Sequence, residues 1–221
     1  MADATIGGRP LSYYSAKMLS YTVGASAFSG NFFLPPNSLT PISLTPKFGS
    51  RLITIVLDFD SSAENNIAKM TIDTTAVFDL VLPDGNLYTC ALQSVSAPRH
   101  MTDWIQQTTF VFEGVRRGTD VTRTLSATGS VSVTGDLTAP VRLTVTTSLT
   151  TVTVMGIQIR NANTGITIID GIETMTIKRG SQNVLNDVSI TAFPRLPPGT
   201  NTITITPTPT QVSLVFRPLY R

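Results

Sequence analysis

Few side chains in this sequence have the types and spacing that chemistry requires. The single histidine, His100, stands three residues before Asp103 in Pro98-Arg99-His100-Met101-Thr102-Asp103-Trp104, which could supply a base and its orienting carboxylate. Such a pair needs a nucleophile held against it, and no Gly-x-Ser-x-Gly elbow offers one. His100 is therefore read as a polar loop residue. Asp58 and Asp60 share one face of an expected strand, and paired carboxylates can bind calcium or move protons. No Asp-x-Asp-x-Asp-Gly loop accompanies them, and a solvated strand end accounts for both. Cys90 is the only cysteine, which excludes an internal disulfide framework and a multi-cysteine zinc site; its apolar neighbours make it a core thiol. Phosphate-loop, zinc-protease and dinucleotide fingerprints are all missing. The sequence thus assigns no catalytic, cofactor-binding or metal-ligating residue.

Charge points the same way. Lys and Arg total 16 against 14 acidic residues, and only Arg116-Arg117 and Lys178-Arg179 are adjacent basic pairs. No basic stripe follows a phosphate backbone, so sequence-specific nucleic-acid binding is not expected. No stretch reaches the ~20 apolar residues of a membrane helix, and the expected product is soluble, made in a cytoplasm.

The elements that must carry any function are strands. Charged residues are 14% of the 221, well under the usual quarter. Threonine is roughly one residue in six and is interleaved with Val, Ile and Leu in 141–154 and 200–210. Such weakly charged strands expose risky edges unless sheets close or partners cover them. Arg51 to Asp60 reads as a central strand, apolar on both faces. Ser61-Ser62-Ala63-Glu64 matches a capping box, opening a helix over about 62–75 whose Ile67, Met70, Thr74 and Phe78 form one stripe. Phe78 to Leu82, Pro83-Asp84-Gly85-Asn86 and Leu87 to Val95 read as a hairpin. Thr108 to Gly114 is a further strand, reached through a loop bearing Trp104.

After Gly118 the aromatics thin out and short Thr/Val/Ile strands follow at regular spacing, as in a sandwich or jelly roll. The expected domains are 1–125, a β domain with one helix packed on it, and 126–221, a β-sandwich. Val152 and Val154 share a phase that Ile157 and Ile159 break, so a bulge is expected at Met155-Gly156. The segment before residue 50 carries Tyr13, Tyr14, Phe28, Phe32 and Phe33 among prolines 35, 36, 41 and 46. It reads either as an arm whose aromatics meet a neighbouring subunit or as part of its own domain's core.

The blocks Asp84-Gly85-Asn86-Leu87-Tyr88, Ala97-Pro98 with Trp104, Phe110-Val111-Phe112-Glu113-Gly114, Arg117-Gly118 and Phe193-Pro194-Arg195-Leu196-Pro197-Pro198-Gly199-Thr200-Asn201 resemble the distal tail proteins of long-tailed, siphovirus-type bacteriophages. The resemblance spans both expected domains. It implies a mainly β fold with a ring-forming first domain and a galectin-like second domain, and a structural, non-enzymatic role at the virion tail tip. It further implies a homo-oligomer, a hexameric ring joining the tail-tube protein to the tail-tip or hub protein of the baseplate, with the genome passing through. Tyr13, Tyr14, Phe28, Phe32 and Phe33 are the interface residues expected on that reading. Three alternatives compete: another tail-tube or baseplate subunit, a carbohydrate-binding accessory protein using Trp104, and a cell-wall hydrolase using His100. Past residue 126 the only aromatics are Phe193, Phe216 and Tyr220, few for sugar-stacking platforms.

Overall fold

A computed structural model of the chain describes residues 3–26, 49–60, 62–208 and 210–221, with the backbone of short strands at 28–29, 32–33, 42–43 and 47–48. Two compact units divide after Arg116, the second running from Arg117 to Tyr220. The break precedes the expected residue 125 because Val121–Leu125 ladders onto Gln211–Phe216 in the second unit's sheet.

The first unit contains β1 (Thr5–Ile6), β2 (Arg9–Pro10), β3 (Ala16–Val23), β4 (Arg51–Phe59), α1 (Ala63–Asp73), β5 (Phe78–Val81), β6 (Leu87–Val95) and β7 (Gln106–Arg117). They build one sheet in the order β2-β1-β5-β6-β7-β4-β3. β4 lies inside the ladder as its composition demands, yet only one of its faces is closed. Ile53, Ile55, Leu57 and Phe59 are fully buried, while Leu52 is exposed and Thr54 and Val56 are half-buried. The closed face meets Phe110 and Phe112 of β7, Leu80 of β5 and Ile67 and Met70 of α1 in one core.

The helix follows its stripe in Ile67 and Met70, with Thr74 buried at its C-cap, while Phe78, expected to extend the stripe, opens β5 and is buried there; the Thr74 hydroxyl donates to the Met70 carbonyl at 2.9 Å, ending the last turn. The Ser61 half of the expected capping box lies outside the described residues. Ser62 occupies the N-cap in a left-handed conformation and makes no side-chain cap bond. The β5–β6 hairpin turns where expected, with Gly85 at φ +80° and the Asp84 carboxylate accepting the Asn86 backbone N–H at 2.9 Å.

The second unit is a β-sandwich. Strands β8 (Val121–Leu125), β10 (Ala139–Thr146), β13 (Thr167–Asp170), β14 (Thr176–Arg179) and β18 (Gln211–Phe216) form one sheet in the order β8-β18-β10-β13-β14. Strands β11 (Thr151–Val154), β12 (Ile157–Arg160), β15 (Val188–Ser189) and β17 (Ile205–Thr206) form the other in the order β15-β12-β11-β17. β9 (Gly129–Val133) and β16 (Gly199–Ile203) pair separately. Val141, Leu143, Val145, Ile169, Leu214 and Phe216 from the first sheet share a core with Val152, Val154, Ile157, Ile159 and Ile205 from the second.

Met155-Gly156 is a correction to the expected bulge. Both residues take positive φ, 51° and 78°, and β11 ladders directly onto β12 with Val154 opposite Ile157. The pair is therefore a two-residue hairpin turn of the kind that needs positive φ at both positions. The phase break in the sequence was real, and all four apolar side chains do reach the core. The chain reverses there instead of continuing.

Candidate assembly interface

Assembly surfaces on strand-rich chains arise where strand edges or apolar side chains lack cover within the chain. β3 is the terminal strand of the first sheet and is laddered only to β4 among the described residues. That ladder does not stop at the sheet. Val23 opposes Ile53, the Gly24 N–H donates to the Leu52 carbonyl at 2.8 Å, and Phe28 opposes Phe48. These three pairs keep one register, since their residue numbers share a common total. A second ladder pairs Phe32 with Ser43 and Phe33 with Ile42 after a one-residue slip. β3 and β4 are thus the root of a two-stranded ribbon, an element that is marginal in water without further contacts. Prolines 35, 36, 41 and 46, each of which removes a backbone donor, lie outside the described residues. The Phe28, Phe32 and Phe33 side chains lie outside the described residues, and only their strand backbone is placed.

Tyr13 and Tyr14 sit on the short 3-10 turn Leu11–Tyr14 and separate sharply. Tyr14 is fully buried and belongs to its own domain's core, so its ring cannot touch a neighbour, and the core reading holds for it. Its hydroxyl donates to an Asp73 carboxylate oxygen at 3.0 Å, and Arg9 pairs with that same carboxylate. Burial, reinforced by the Asp73 carboxylate, pushes the Tyr14 hydroxyl up to about 12. Tyr13 is 44% exposed and meets the Tyr14 ring edge-on at 5.0 Å. The Arg9 guanidinium lies 4.7 Å and the Lys69 ammonium 3.4 Å from its ring centre, contacts that hold an exposed ring in place. Sequence patterning placed these aromatics together; it carried no signal separating core from surface within one turn.

The residues weighed for catalysis are not brought together. His100 lies on the two-residue strand Arg99–His100, opposite Gln106, and is exposed. No hydrogen bond or ion pair joins it to Asp103 among the described residues. Asp58 accepts from the Gln107 side-chain amide at 3.2 Å, and Asp60 is exposed at the end of β4. Cys90 is buried, and burial pushes its thiol up to about 12, far from a reactive thiolate. Among the described residues no three His, Cys, Asp or Glu side chains are grouped so that they could hold a metal ion, and no helix there is long and apolar enough to cross a membrane.

The second unit carries a charge network that composition did not reveal. Asp170, almost fully buried, accepts from Arg142 at 3.1 Å, from the Thr174 hydroxyl at 3.0 Å and from the backbone N–H groups of Ile172 and Glu173 at 2.9 and 3.2 Å. Burial alone would raise this carboxyl, but the Arg142 contact and the backbone donors together hold it well below the usual carboxylate range. Glu173 and Asp120 extend the network through Arg217. Every partner is a fixed donor or ion within the unit, so the network braces the β13 end of the sandwich.

No protein-family model and no curated protein matches the chain. Solved structures do. The Dit protein of phage SPP1, described as a paradigm of the hub adsorption apparatus in phages that infect Gram-positive bacteria, superposes with a TM-score of 0.72 at 11% identity, covering 97% of this chain and 98% of that one. Phage P2 baseplate structures in the activated conformation match with TM-scores of 0.55 with calcium and 0.53 with strontium. Identities there are 7% and 6%, with 95% and 94% of this chain and 92% of each of those chains covered. At such identities the match establishes the fold, a helix-bearing β domain followed by a β-sandwich.

Proposed function

We propose that this chain is a structural subunit of a phage tail, a distal tail protein whose copies close into a ring of six between the tail tube and the baseplate or tail tip. The observation that carries the reading is the end-to-end likeness to the SPP1 Dit protein, which takes in both domains in order and leaves almost none of either chain unmatched. A closing head-to-tail ring covers strand edges and ribbons that a lone subunit leaves bare. The ribbon rooted in β3 and β4, with Phe28, Phe32 and Phe33 on it, is the first surface to assign to the neighbouring copy, and Tyr13, exposed on the turn before β3, is a second. Partners on this reading are the tail-tube protein on one side and the tail-tip or hub protein on the other. The chain is made in the host cytoplasm and carries no catalytic step.

Gold-labelled antibody against the chain, applied to intact virions of the phage that encodes it, tests the location. Label confined to the distal end of the tail is the expected result; label along the tube or on the capsid contradicts it.

A further inference from the structure

We draw no further inference here: the strongest candidate, the hollow of the first domain that follows β3 over residues 16–21 and is closed on its other side by Asp3, Pro83 and Asp84, carries none, because nothing in the structure shows what covers it.

Discussion

At the scale of single residues, the strongest constraints are structural. Asp170 is held ionised by Arg142 and three further donors, so its folded-state affinity for a proton lies below that of the unfolded chain. A depressed carboxyl contributes stability that is fully present above its unfolded value of about 4 and is lost as pH falls toward its folded value. Asp170→Asn should therefore destabilise the protein by about 1–3 kcal/mol at neutral pH and flatten the loss of stability below about pH 4, as read from urea midpoints across pH. A wild-type-like acid slope in the variant would assign that slope to other carboxyls. Gly114 supplies a second constraint. A Cβ built there would lie 2.4 Å from the Cys90 sulfur and 3.3 Å from the Thr89 carbonyl oxygen. Gly114→Ala should cost about 1–3 kcal/mol, and Cys90→Ala should restore part of that loss in a double-mutant cycle. Strict additivity of the two substitutions would refute the contact. Neither constraint could be read from the sequence, since Asp170 and Gly114 look like any strand-end carboxylate and any strand glycine.

Among the elements, legibility followed periodicity. The helix stripe and the Asp84-Gly85 hairpin were plain from spacing, because a 3.6 residue period and an Asp-Gly turn each have one geometric reading; β4, apolar on both faces, was legible as an inner strand, but its spacing did not say which face is closed. Met155-Gly156 was not, since a phase break fits a bulge and a tight hairpin equally, and methionine is an unusual residue at positive φ. The left-handed Met155 should be strained, so Met155→Asn or Met155→Gly should raise stability by about 1 kcal/mol in thermal melts; a fall would mean the methionine side chain contributes more than its backbone costs. The ribbon beyond β3 and β4 was legible only as a proline-broken arm, because register between distant strands has no local signal. If that ribbon makes the ring, replacing Phe28, Phe32 and Phe33 together with serine should yield monomers in sedimentation velocity with an unchanged circular dichroism spectrum. Rings that persist in the triple variant would remove the ribbon from the interface.

For the whole molecule, low charge, abundant threonine and many short strands pointed to a mainly β chain whose strand edges need cover. The chain is built of two β units, and it overlaps the Dit fold almost end to end. The domain order was legible because composition changes sharply at the junction. The position of the junction was shifted because the strand after Gly118, still poor in apolar residues, is recruited by pairing with the last long strand of the chain. The measurement that bears most directly on this account is the solution mass of the purified full chain across a concentration series, with negative-stain images of the same samples. Closed rings of about six chains of 23.7 kDa each are the expected result. A single monomeric species at every concentration, with no rings in the images, would contradict it.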